Sequence, residues 1–266
     1  MLDVRLLFYY YINSRTERQG SDGMKAKEKA EENRGFYQKL FALVMPIAMQ
    51  NLLSAIVSAS DALMLGLQGQ TELSAVSLAT QIQFVLNLFY AALTIGATVL
   101  AAQYWGKGDC KSVEQVLAIA LRISVLISTV FFLAALLGPE FLMRIFTNDT
   151  ELIAPGAAYL RIVSGSYLCM GVSQIYQCIM KNSGRTLRST IYGSTAVGIN
   201  LVFNAVFIFG LCGCPVLGIQ GAALATFLAR MVELALVLFE NRKKEVVRIR
   251  WQYLKNSDPI LKKDYT

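Results

Sequence analysis

One carboxylate and three neutral polar side chains are the residues of this chain best suited to chemistry. Asp61 lies in the stretch 40–66, which is long enough to cross a bilayer and holds no Lys or Arg to neutralise the acid. An acid placed in hydrocarbon costs roughly 2.5–3.5 kcal/mol on insertion scales, so by default it marks a functional site. Gln50, Ser54, Ser58 and Asp61 follow one another at spacings of four, four and three. That spacing puts them on one helix face, as a polar stripe ending in the carboxylate. A lipid-facing helix has no use for such a stripe, whereas a helix lining a water-filled cavity does. Asn200 and Asn204 share a face of a later apolar stretch, and Thr226 lies in the next one. A carboxylate, two amides and a hydroxyl offer the oxygens that a proton or a hard cation needs.

The elements that must position these groups are membrane helices. The chain has 266 residues, 55% of them hydrophobic and only 16% charged, with a mean hydropathy of +0.47. A soluble domain averages about 25% charged residues. Six long apolar segments stand at about 40–66, 73–105, 113–137, 152–180, 187–210 and 219–239. Each exceeds the roughly 20 residues a bilayer needs, and helix is the only open-ended solution for spanning it. The expected fold class is an all-α polytopic membrane protein with six transmembrane helices. Its organisation is an N-terminal segment at 1–39, a helical lobe at 40–240 and a linker or tail at 241–266. The second segment carries its own polar stripe, Gln83, Asn87, Tyr90, Thr94 and Thr98. Gln83, Asn87 and Tyr90 therefore join Gln50, Ser54 and Ser58 as expected cavity-lining residues.

Charge sets the topology. The net charge of +7 could signal nucleic acid, but 21 of the 25 Lys and Arg fall in the two termini and in the second-to-third and fourth-to-fifth connections. The opposite loops hold only Arg144, with Arg161 just inside the fourth span. The positive-inside rule then places both termini in the cytoplasm of a cell whose plasma membrane holds the chain. This topology fixes depth. Asp61 lies five residues from Gly66, Asn204 six from Gly210 and Thr226 eight from Gly218, all outer ends of spans. At about 1.5 Å per residue these groups lie roughly 8–12 Å below the outer surface, with Asn200 about one turn deeper. Asn and Thr also serve as interhelical hydrogen-bond glue. With Asp61 at the same level, an ion or proton site is the stronger reading.

The remaining features are blander. Glu233 stands three residues from Arg230, so the two can pair along one helix face. Cys212 and Cys214 form a C-x-C in a short loop, either small residues in a tight turn or a metal or redox pair. With no His in the chain, His triads and His metal sites are excluded. No Gly-rich phosphate loop is present, and Gly106-Lys107-Gly108-Asp109 is a turn with a capping acid. Nothing points to an enzyme or to a cofactor. The segment 138–151 is short, partly apolar and suited to the membrane surface. Met24 opens a basic helical lead-in, and residues 1–23 are expected to be read-through.

Several motifs in this order resemble the N-terminal half of a multidrug and toxic compound extrusion (MATE) transporter. They are Pro46, then Ser60-Asp61-Ala62 with Gly66, Ala102-Gln103-Tyr104-Trp105-Gly106, Phe146-Thr147-Asn148-Asp149, Tyr159-Leu160-Arg161-Ile162, Asn200-x-x-x-Asn204 and the run Leu217 to Thr226. The resemblance covers about residues 36–266. It implies one six-helix lobe of a twelve-helix protein that exports organic, often cationic, compounds in exchange for H⁺ or Na⁺. It puts the cation-coupling site on Asp61, Asn200, Asn204 and Thr226, the only place a Na⁺ would bind, and a helix bend on Pro46. Arg185, where family members often carry an acid or an amide, is a departure. The second lobe is absent, so the resemblance implies another six-helix lobe or another copy of the chain as partner, beside the lipid bilayer and a small organic cation or drug. Two other functions are weighed. One is a lipid-linked oligosaccharide flippase of the same superfamily; such proteins tend to show cationic cavities, and here the expected cavity charge is acidic. The other is a non-transporting lobe that only binds a partner.

Overall fold

The computed structural model describes residues 37–38, 40–42, 44–213, 215–242, 247, 249 and 253. By packing, residues 1–47 and 48–266 form separate units. Of the first, the described residues are helical and mostly exposed, with Pro46 half-buried. Residues 1–36, Cys214 and most of the tail beyond Arg242 lie outside the described residues, as do the side chain of Cys212 and the expectations made for them.

The described residues are helical almost throughout. The long helices are α1 (Leu40–Gln68), α2 (Gln70–Gly106), α3 (Cys110–Leu137), α5 (Thr150–Asn182), α6 (Thr186–Phe209) and α7 (Gly218–Asn241), and a short α4 (Pro139–Phe146) precedes α5. No strand occurs among the described residues. Hydrocarbon demands this regularity, because it offers no water to satisfy a broken backbone. Turn chemistry ends the helices. Asp109 caps α3 by accepting from the Ser112 amide at 3.2 Å and the Ser112 hydroxyl at 2.6 Å, and Asp149 caps α5 through the Glu151 amide. Those hydrogen bonds hold the exposed Asp109 carboxyl below its ordinary value of 3.8.

Five of the six long helices are long and apolar enough to cross a membrane by length and composition; α5 is long enough but too polar. Its place explains the difference. α5 packs on α2, α3, α6 and α7 and is the inner helix of the lobe. Its polar residues therefore meet protein instead of lipid, and Tyr167, Ser166, Ser173 and Gln177 are buried there. The other helices turn large apolar side chains outward, as lipid requires; Leu63, Leu126, Leu187 and Phe239 are all exposed.

Two apolar clusters hold the lobe. One gathers Leu65, Leu86, Tyr90, Met143, Leu160, Tyr167 and Ile208. The other gathers Val113, Leu117, Ile175, Ile179, Val237 and Val247. Side chains of α2 and α3 crowd onto α5 at Gly171. A Cβ there would strike the Ser128 hydroxyl and stand 3.0 Å from both the Ser124 and Tyr90 oxygens.

Candidate functional site

The site is built from five helices of the second unit around a cavity of about 450 Å³. α1 contributes Ser54, Ser58 and Asp61. α2 contributes Thr80, Gln83 and Asn87. Tyr159 comes from α5, Asn200 from α6, and Thr226 and Arg230 from α7. A volume of this size is that of an ordinary small-molecule site.

Three hydrogen bonds link the four polar groups in one chain. The Asn204 amide Nδ2 donates to Asp61 Oδ1 at 2.7 Å and to Asn200 Oδ1 at 3.3 Å. Asn200 Nδ2 donates to Thr226 Oγ1 at 3.3 Å, and that hydroxyl donates to the Ala222 carbonyl at 3.0 Å. Asn204 is buried, and its Oδ1 has no hydrogen-bond partner. A buried acceptor left bare costs about 1–3 kcal/mol. The array is thus a carboxylate with neutral oxygens beside it, one of them unsatisfied.

Thr226 joins the array through Asn200, by the 3.3 Å hydrogen bond, and not by a hydrogen bond to Asp61. The segment leading into α7 folds back, so that the Leu217 amide donates to the Phe207 carbonyl at 3.0 Å. Gly221 then seats α7 directly on α6, where a Cβ would stand 2.8 Å from the Phe207 backbone.

The expected lining residues divide. Ser54, Ser58, Gln83 and Asn87 face the cavity. Tyr90 does not: it is fully buried, with its hydroxyl 2.7 Å from Ser128 Oγ and donating to the Tyr167 carbonyl at 3.1 Å. It stands at the edge of the α2 stripe, and the small polar residues of α3 draw it away from the cavity. Gln50 is also outside the cavity, against Gly193 of α6 with its Oε1 bare. Thr80 and Tyr159 were missed. Thr80 extends the α2 stripe by one turn beyond Gln83, on the pattern i, i+3, i+7. Tyr159, within one of the quoted motifs, stands beside Thr226 and Asp61.

Arg230 also lines the cavity, so its charge is not solely acidic. It pairs with Glu233 as their spacing suggests, NH1 to Oε2 at 2.7 Å, and Gln177 Nε2 donates to the other Glu233 oxygen at 2.6 Å. Among the described residues no cluster of three metal-binding side chains occurs.

Sequence comparison matches the MatE family over residues 46–206, more than half of the chain. The chain belongs to the MatE family. It is 29% identical over 210 residues to the uncharacterized transporter YisQ of Bacillus subtilis, covering 77% of this chain and 45% of that one. It is 25% identical to the probable multidrug resistance protein NorM of Thermotoga maritima, covering 84% and 48%. Among solved structures, an outward-facing multidrug resistance MATE family transporter of the MOP superfamily matches at a TM-score of 0.75 and 20% identity, over 84% of this chain and 49% of that one. A MATE structure in the straight conformation matches at 0.74. These likenesses show the fold: one lobe of a MATE transporter, a multi-pass membrane protein. The chain spans just under half the length of these relatives.

Proposed function

We propose that this MatE lobe serves secondary antiport, exporting organic, often cationic, compounds in exchange for H⁺ or Na⁺. The observation that carries the reading is the Asp61–Asn204 hydrogen bond at the wall of the cavity, continued through Asn200 to Thr226. The relatives named multidrug resistance proteins support the substrate class.

Among the described residues Asp61 is the only acid lining the cavity. A proton, a Na⁺ or the ammonium of a substrate would compete for it, and such competition is exchange. Na⁺ could take oxygens from Asp61, Asn204, Asn200 and Thr226, with the bare Asn204 Oδ1 as a natural ligand. A proton on Asp61 would weaken the charged hydrogen bond from Asn204. Either event changes how α1 is held on α6, and Pro46, which cannot donate to the carbonyl four residues before it, is where α1 would bend. Both termini would lie on the cytoplasmic side. A second lobe, from another chain or another copy, would complete the transport path.

The test is an exchange measurement on the chain reconstituted in lipid nanodiscs. Ethidium, a monovalent organic cation, should release H⁺ or Na⁺ on binding, and Asp61→Asn should abolish that release. Undiminished release from Asp61→Asn sinks the reading.

A further inference from the structure

We propose that Gln50 is a positioning residue for the Asp61 site. Its side chain, seated in a notch on α6, fixes where α1 lies along α6, so that Asp61 meets Asn204. The inference rests on the reading of Asp61 as the cation site and names the residue that places it there.

The Gln50 amide occupies the space that a side chain at 193 would take. A Cβ on Gly193 would strike Gln50 Nε2 and stand 3.1 Å from Gln50 Cδ and 3.6 Å from Gln177 Oε1. Glycine thus leaves a hole on α6, and Gln177 of α5 borders it. Gln177 is buried, its Nε2 donates to Glu233 at 2.6 Å, and Glu233 in turn holds Arg230 at 2.7 Å. The side chain that borders the notch is therefore braced from behind, which gives the buried Glu233 a task. Gln50 Oε1 is itself buried with no hydrogen-bond partner. An acceptor buried bare is a cost and not a tie, so what this side chain supplies at the notch is its fit.

Sequence spacing makes this contact a register mark. α1 meets α6 at Gln50 on Gly193 and again at Asp61 on Asn204. Gln50 and Asp61 are eleven residues apart, and so are Gly193 and Asn204. Eleven residues make about three turns and bring a side chain back to the same helix face. Equal spacings in the same chain order mean that the two helices run the same way between these points, and a slip of one turn at either contact breaks the other. Between them Ser54, Val57 and Ser58 of α1 line the cavity with Ala196, Val197 and Asn200 of α6. The cavity therefore opens along a seam pinned at both ends. The pin at Asp61 is a charge-assisted bond that weakens when the acid is neutralised. The pin at Gln50 carries no charge and keeps its hold whatever cation sits on Asp61.

Cysteine cross-linking of the full chain in nanodiscs reads the register without any ion or drug. With Asp61→Cys and Asn204→Cys together, mild oxidant should form the 61–204 disulfide, identified by mass spectrometry of the joined peptides. Adding Gln50→Ala should slow its formation at least roughly fivefold, because a disulfide tolerates little misplacement. Gln50→Met keeps the length and shape of the side chain and should stay within about twofold. Reversing the fit, with Gly193→Met added to Gln50→Ala, should restore the rate. A lobe merely destabilised by Gln50→Ala would not be repaired by a bulkier residue at 193. Absence of the 61–204 disulfide, a rate indifferent to Gln50→Ala, a rate lost in Gln50→Met, or no recovery in the reversed pair overturns the proposal. With Asp61 and Asn204 intact, Gln50→Ala should also move the ion midpoint for ethidium displacement at least roughly threefold, in the same direction as Asn204→Ala, and Gln50→Met should not. If the cross-link depends on Gln50 while neither H⁺ nor Na⁺ displaces ethidium from the wild-type chain, the antiport reading fails and the positioning role stands.

Discussion

The amide of Asn204 binds Asp61 at 2.7 Å and Asn200 at 3.3 Å, so one side chain on α6 connects the carboxylate of α1 to the next polar level of the lobe. The same residue carries a bare, buried Oδ1. Its two ends have different tasks: the nitrogen holds Asp61 in place, and the oxygen is left available.

That division makes Asn204→Ala informative. It removes a hydrogen bond to a charged group, about 1.5–3 kcal/mol, together with the free acceptor. If Na⁺ is the coupling ion, the concentration needed for half-maximal displacement of ethidium should rise roughly ten- to a hundredfold; if H⁺ is, it should fall, because the lost hydrogen bond favoured the ionised carboxylate. An unchanged midpoint would separate Asn204 from the coupling site.

The place of Thr226 depends on how α7 is seated, which gives a second test. Gly221 lies against the Phe207 backbone, and backbone cannot turn aside as a flexible side chain can. Gly221→Val should therefore push α7 off α6, at a cost of about 1–3 kcal/mol in stability. The Asn200–Thr226 bond should break with it. The melting temperature in detergent and the infrared signature of the asparagine amides should both shift. A wild-type melting temperature would mean that α6 and α7 do not approach so closely.

Much of this was readable from sequence because membrane helices convert residue number into depth. The six long segments, Asp61 near Asn204 and the Arg230–Glu233 pair all follow from regular spacing along nearly straight rods. What spacing cannot give is how one rod starts relative to the next. The fold-back that joins Leu217 to Phe207 sets where α7 begins, and no periodicity encodes it. Nor does spacing say which neighbour claims a residue at the edge of a face. Tyr90 sits on the polar stripe of α2, yet Ser128 on α3 takes its hydroxyl. Arg230 looked spent on Glu233, but it also lines the cavity. The span at α5 was readable from its length even though it is more polar than the others, since an inner helix needs no apolar surface.

Arg185 gains a structural account from the far end of α7. The buried Glu240 pairs with Arg188 at 2.9 Å and stands 3.7 Å from Arg185, while the Tyr192 hydroxyl donates to its other oxygen at 2.7 Å. One carboxylate thus ties the α5–α6 connection to α7. Breaking a buried pair by removing one partner costs about 3–5 kcal/mol, and solvent around Arg188 and Arg185 places this case at or below about 3. Glu240→Ala should lower the melting temperature and speed proteolysis between Asn182 and Thr186, whereas Arg185→Gln should cost much less. Equal losses from the two variants would refute Glu240 as the shared anchor.

The cap of α3 gives a prediction in pH. Asp109 accepts from the Ser112 hydroxyl and amide, and these bonds hold its carboxyl below the ordinary 3.8. A carboxylate whose value is lowered by folding contributes stability that is fully present above its unfolded value and is lost as pH falls through its folded value. The first turn of α3 should therefore be protected at neutral pH and should loosen only below about pH 4, where Asp109 protonates. Amide hydrogen exchange at Lys111 to Val113, corrected for its intrinsic pH dependence, reads this directly. Asp109→Asn keeps an acceptor for the Ser112 amide and should show protection that does not change with acid. Asp109→Ala should lose protection at every pH. An acid-induced loosening that persists in Asp109→Asn would assign it to another group.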